Sequence, residues 1–326
     1  MTTGSTTIQT ATEMAAVKAA AEPATGWRKE RRYKRDEVIM GYLFVLVPML
    51  IFMVFSFGAM IFDFWVSFYH WAILDTPRFV GSANYNYLWN SPFSYIWTTA
   101  IRNTIEYSVI VVPIQTCIAF ILALIVNQNI RGKKFFRTTF YFPSVTSSVA
   151  ISLIFLFLFN NLGLINFLIS QLPGQPTGPN WLGDPKYALR SIMGLNIWTT
   201  TGTLMVVFLA SLQDVPREVL EAAAIDGATG VKAVTRVVLP LIRPALFFVV
   251  ATGLIGTLQI FDQAFILSAG SGGPENSTMT AVLYIYIQSF TNDYYGVAAA
   301  ASAMLFAFIF LATLLVRRFI GGEGAR

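Results

Sequence analysis

Long uninterrupted apolar runs are the feature that most restricts what this chain can become. An α-helix needs roughly 20 mostly apolar residues to cross a hydrocarbon core of about 30 Å. Six segments of the sequence meet that requirement: Val38–Phe64, Ile105–Val126, Thr139–Phe159, Leu189–Leu212, Pro244–Leu267 and Tyr295–Val316. Charged residues make up 12% of the chain and mean hydropathy is +0.61, whereas a soluble domain carries about 25% charged residues. The sequence therefore predicts an all-α membrane protein with about six transmembrane helices. Pro48, Pro113 and Pro143 fall inside or near span ends, which packed membrane helices tolerate.

Orientation follows from where Lys and Arg fall in the short flanks. Arg28, Lys29, Arg31, Arg32, Lys34 and Arg35 precede the first span, and Arg131, Lys133, Lys134 and Arg137 separate the second from the third. Arg217, Lys232, Arg236 and Arg243 lie between the fourth and fifth, and Arg317 and Arg318 follow the sixth. The alternate loops hold only Arg78, Arg102, Lys186 and Arg190. Both termini are thus expected in the cytoplasm. The basic cluster reads as an anchor touching anionic lipid rather than a nucleic-acid contact. Residues 1–36 are expected to be a disordered basic tail, 37–320 the membrane domain, and 321–326 a short second tail. The apolar stretch begins too far into the chain for a cleaved signal, so the first span is read as retained.

Chemistry-bearing residues are sparse. Cys117 is the only cysteine and His70 the only histidine, which argues against disulfide frameworks, zinc clusters and histidine relays. No catalytic residue and no metal ligand is expected. The phosphate-cradling pattern G-x-x-x-x-G-K-[ST] is missing, since Gly227 and Gly230 precede Lys232 at the wrong spacing.

The connection between the fourth and fifth spans, residues 214–243, reads as a short helix-turn-helix at the membrane surface. Pro216 suits a first helical turn and Asp214 can cap it. Val219, Ala222, Ala223 and Asp226 follow at helical spacing, and Asp226-Gly227 supplies a left-handed stop. A second amphipathic turn through Val231, Val234 and Val238 ends at Pro240. The Ala222-Ala223-Ala224 run leaves a smooth face that another protein can approach.

Glu221-Ala222-Ala223, Asp226-Gly227 and Leu239-Pro240 resemble the EAA loop of binding-protein-dependent ABC importer permeases. In particular, the chain from about residue 37 to 320 resembles the first permease subunit of maltose-type and glycerol-3-phosphate-type transporters. The segments RGKKFFRTTFYFPSVTSSVAISLIFLFLFN, IFDQAFILSAGSGGPENSTMTAVLYIYIQSF and YYGVAAAASAMLF agree with that group. The resemblance implies that Glu221 is a polar contact to a cytoplasmic ATPase subunit. It implies that Ala222, Ala223, Asp226 and Gly227 shape the docking helix, and that Leu239 and Pro240 anchor the second one. It further implies a second permease subunit, two ATPase subunits that bind ATP and Mg, an extracytoplasmic solute-binding protein, and residence in a bacterial or archaeal cytoplasmic membrane. No cofactor is expected in this chain.

Polar residues inside spans usually face a cavity. Asn196, Thr199, Thr200 and Thr203 share one helical face of the fourth span. Gln259, Asp262 and Gln263 share a face of the fifth, with Thr257 nearby and Trp198 and Phe261 offering aromatic surfaces. No Lys or Arg stands in the middle of a span, so hydroxyls, amides and one carboxylate suit a neutral polyol or oligosaccharide better than an anion. The resemblance places sugar contacts on these two helices. An ion-coupled secondary transporter is the alternative, for which an internal repeat and ionisable relays would be the signs.

Overall fold

The structure, a computed structural model, describes residues 25–72, 76–128, 131–172 and 178–321. Residues 1–24 and 322–326, where the tails are expected, lie outside them. The chain divides into two units, one ending at Phe62 and one starting at Asp63.

Among its described residues, which begin at Thr25, the first unit is a single run of helix that ends at Val66, four residues past Phe62. Helix α1 (Thr25–Phe52) passes into a π-helical stretch (Met53–Gly58) and then into α2 (Ala59–Val66). The helix starts at Thr25, eleven residues before the expected end of the tail at residue 36. The reason is local: Arg, Lys and Glu between Trp27 and Glu37 are good helix formers, and no Gly or Pro interrupts them.

The second unit opens with a small antiparallel hairpin, β1 (Tyr69–His70) and β2 (Arg78–Phe79), followed by α3 (Ala83–Asn90). Asn84 fastens these pieces by donating from Nδ2 to the carbonyls of Ser67 at 2.8 Å and Tyr69 at 2.9 Å. Next come α4 (Ser94–Asn127), α5 (Lys133–Val145), α6 (Ser148–Leu158), α7 (Leu164–Ser170) and α8 (Pro185–Gln213). The loop contributes α9 (Arg217–Ile225), α10 (Val231–Ala233), a π-helical stretch (Val234–Val238) and α11 (Leu239–Leu241). Helices α12 (Arg243–Leu258), α13 (Asp262–Leu267), α14 (Ala281–Phe290) and α15 (Tyr295–Ile320) complete the chain.

Among the described residues five helices are long and apolar enough to cross a membrane, and α5 with α6 makes a sixth if the pair counts as one span. That pair is bent by 96°. The third span is therefore not the straight rod expected from its hydropathy. Pro143 removes a backbone donor near the end of α5, Thr146 is extended and Ser147 is non-helical, so the ladder of helical bonds stops there.

Helix α4 is central. Trp97, Ala100, Tyr107, Val111, Ala119, Ala123 and Val126 are all fully buried along it at helical spacing. Near its start α4 joins a core with Leu258, Leu283 and Ala301, and towards its end it joins another with Phe208, Leu209 and Leu212 of α8. Lipid tails are as apolar as these side chains, so close packing rather than water exclusion holds such helices together. Small residues permit it. A Cβ on Gly202 would overlap the carbonyl of Phe140 on α5, and one on Gly296 would overlap the carbonyl of Tyr69. Ser302 on α15 donates to the carboxylate of Asp63, an ionisable residue near the end of the first span that sequence reading missed.

Candidate functional site

A cavity of about 600 Å³ opens among α4, the α5–α6 bend, α8, α12 and α13. Two breaks in helical backbone form much of its wall. One is the α5–α6 bend, which brings Pro143, Ser144, Thr146 and Ser148 to the surface of the cavity. The other is the non-helical Gln259–Phe261 between α12 and α13. Irregular backbone at membrane depth survives only where protein or a cavity satisfies it. Here Ile260 is buried and its carbonyl accepts from the Thr280 hydroxyl at 3.0 Å.

This second break revises the expected helical face of the fifth span. Gln259 ends α12, while Asp262 and Gln263 begin α13, so one helix does not align them. They converge on the cavity because the chain turns around them. Gln263 donates from Nε2 to the hydroxyl of Ser148 at 3.1 Å, tying α13 to α6.

On α8 the predicted face holds: Asn196, Thr199, Thr200 and Thr203 all line the cavity. Thr257, Gln259, Phe261, Asp262 and Gln263 line it too. Trp198 does not. It is half exposed and packs on Phe155 with ring centroids 5.5 Å apart. The reason is helical geometry, since two positions on from Asn196 is about 200° around the axis.

The polar groups differ in what they have left to offer. Thr199 and Thr257 donate back to their own helices, to the carbonyls of Asn196 at 3.0 Å and Leu254 at 3.1 Å. The Thr200 hydroxyl reaches Gln115 Oε1 at 2.7 Å across to α4 and the Asn196 carbonyl of its own helix at 2.8 Å. Asn196 is 9% exposed, and its Oδ1 is buried without a partner. A buried acceptor left unpaired costs about 1–3 kcal/mol, and a bound hydroxyl would relieve that cost. Asp262 is the one charged residue on the wall among the described residues. Sequence reading missed Gln115, Ser144, Thr146 and Ser148. Each is a polar residue inside an apolar run, close to Pro113 or Pro143, which was the available signal.

The loop presents a different surface. Helix α9 ends in a Schellman arrangement: the amide of Ala228 donates to Ala223 O at 2.8 Å and that of Gly227 to Ala224 O at 3.1 Å. Gly227 has φ +78°, the left-handed conformation its position demands. Pro216 is the cap before α9, not a residue of its first turn, and Asp214 closes α8. Glu221, Ala222 and Asp226 are exposed and Ala223 is buried. Ile225 and Val231 are exposed apolar residues. The second half of the loop is held by buried Val238 and Ile242, which pack with Phe208 and Leu212. Leu239 between them is half-buried and Pro240 is exposed, so the anchoring side chains flank the expected pair.

A family described as "Binding-protein-dependent transport system inner membrane component" matches residues 115–321, from the middle of α4 to just past α15. The lactose transport system permease protein LacF of Rhizobium radiobacter is 38% identical over 216 residues, covering 65% of this chain and 71% of that protein. The multiple sugar-binding transport system permease protein MsmF of Streptococcus mutans is 33% identical, covering 84% of this chain and 93% of that one. The structure of a bacterial alginate ABC transporter, in complex with an alginate pentasaccharide-bound periplasmic protein, contains a chain of the same fold. It superposes with a TM-score of 0.74 at 23% identity, covering 88% of this chain and 95% of that one. The helical fold and these matches define a membrane transport component. The chain belongs to the family of inner-membrane components of binding-protein-dependent transport systems.

Proposed function

We infer that this chain is one permease half of an ATP-driven importer and that it passes a carbohydrate-type solute through the cavity. The observation that carries this reading is the cavity wall. Hydroxyls and amides from α4, α8 and α12, the unpaired Oδ1 of Asn196 and the ring of Phe261 suit a neutral polyhydroxylated solute. No Lys or Arg stands among the described lining residues to hold an anion. Relatives named for lactose and for multiple sugars support the same solute class. In this reading a binding protein delivers the solute from outside, and a second permease chain completes the pore. Two ATPase subunits supply hydrolysis, with ATP and Mg bound on them. Helix α9, on which Glu221, Ala222 and Ala224 are exposed, is the element they grip, and Gly227 lets it lie across them.

The test is uptake of radiolabelled lactose and maltose into vesicles holding the chain with its partner permease and ATPases, supplied with the binding protein. Uptake should require ATP inside and be indifferent to an imposed ion gradient. Gradient-driven uptake without ATP would replace this reading with an ion-coupled carrier. Replacing Asn196, Thr200, Gln259 or Asp262 by Ala should raise the apparent transport constant several-fold for at least one of them, a lost hydrogen bond being worth about 1 kcal/mol. Wild-type constants for all four would move the solute path elsewhere.

A further inference from the structure

Arg243 stands at the first position of α12, where the loop ends and a span begins. A cation there faces the positive end of its own helix dipole, so α12 itself gives no reason for it. Its side chain leaves α12 altogether. The guanidinium donates from Nε to the carbonyl of Ile320 at 2.9 Å and from Nη2 to that of Phe319 at 3.3 Å. These are the last two residues of α15, whose terminal carbonyls have no partner within the helix. The carbonyl of Arg317 is already taken by the amide of Gly321 at 2.9 Å. Arg243 thus caps a neighbouring helix where the dipole is negative and the fork of a guanidinium fits two adjacent acceptors.

One residue before Arg243, buried Ile242 fixes the loop to α8 and α4 through the Phe208 cluster. Arg243 adds a second tie, to α15. That helix is 26 residues long and, at a rise of 1.5 Å per residue, spans about 39 Å. At its other end Gly296 sits against the carbonyl of Tyr69, and the amide of Tyr295 donates to the carbonyl of Trp71 at 3.1 Å. A helix held at both ends carries displacement from one to the other as a rigid rod.

We propose that Arg243 is a positioning residue that joins the end of the loop to α15. When the loop moves, the last helix is pulled with it, and the hairpin packed on the far end of that helix is pulled too. The proposal rests on the reading of the loop as the ATPase-coupling element, and it concerns transmission rather than docking, because α9 is untouched.

Arg243→Leu and Arg243→Lys, assembled with the partner chains, test it through three measurements. ATPase co-purification should match wild type in both variants. Hydrogen exchange at the last turn of α15 should quicken several-fold in Arg243→Leu and much less in Arg243→Lys, which keeps one donor. The number of solute molecules carried per ATP hydrolysed should fall several-fold in Arg243→Leu and recover most of its value in Arg243→Lys. A merely structural role would loosen the helix end without moving that ratio. An unchanged ratio in Arg243→Leu, or unchanged exchange, overturns the proposal while the coupling reading stands. Failure of the ATPase to bind even the wild-type chain overturns the coupling reading, and this one with it.

Discussion

The hydroxyl of Thr200 on α8 donates to Oε1 of Gln115 on α4 at 2.7 Å, joining two helices at the wall of the cavity. Gln115 is almost wholly buried, so this bond decides whether its carbonyl oxygen is satisfied.

Thr200→Val keeps the shape and removes the donor, and should lower stability by about 1–3 kcal/mol. Thr200→Ser, which keeps the hydroxyl, should cost less. Adding Gln115→Leu to Thr200→Val should restore some of the loss, a coupling of about 0.5–3 kcal/mol. Thermal unfolding in detergent, run as a double-mutant cycle, measures it. Additive losses would mean that the two side chains do not interact.

Two glycines of α8 should respond in opposite ways to the same methyl group. A Cβ at Gly202 would overlap the carbonyl of Phe140 and lie 2.8 Å from the hydroxyl of Ser144, whereas nothing lies within 4 Å of one at Gly194. Gly202→Ala should therefore push α5 away from α8 and reduce the yield of folded protein. Gly194→Ala should be neutral, or stabilising by up to about 1 kcal/mol through helix propensity. Size-exclusion profiles and melting temperatures of the two variants check the contrast.

The end of α9 requires a left-handed residue. Gly227→Val places a β-branched side chain at φ +78° and should strain the turn by about 1–3 kcal/mol. Glu221→Ala removes an exposed carboxylate without touching the fold. Both variants should lose ATPase co-purification or the hydrolysis stimulated by loaded binding protein, while the cavity stays intact. Wild-type docking and stimulation in both would remove the loop from the coupling machinery.

Orientation can be read by cysteine labelling in a Cys117→Ser background. Leu162 and Ser271 are exposed in the segments after α6 and α13, and cysteines placed there should react with an impermeant maleimide in intact cells. One placed at Lys133 should react only after lysis. Gly178, in a connection also expected to face outward, is a poor site for the probe because a Cβ there would collide with Asn166. The opposite pattern would invert the topology.

The loop was legible because its signals are local. Asp226-Gly227 specifies a turn through the backbone freedom of one glycine, and the structure places that glycine at a positive φ. The start of α8 rests on an equally local signal that the sequence reading, which began that span at Leu189, did not use: Asp184 accepts from the amide of Lys186 at 2.8 Å, with Pro185 at the first helical position. Spans, too, depend on a sum of side-chain transfer energies over about 20 residues, which any window of sequence contains.

The sequence by itself thus determined the membrane environment, the spans and the turn at Gly227, since each depends on residues adjacent in the chain. Tertiary structure alone decided which polar groups share the cavity. Gln115 meets Thr200 from 85 positions away, and Gln263 meets Ser148 from 115. The 96° bend and the break at Gln259 turn those groups inward. A helix stays broken at membrane depth only if some other element satisfies the freed backbone, as Thr280 does for Ile260. Whether that partner exists depends on packing between distant segments, which no window of sequence contains.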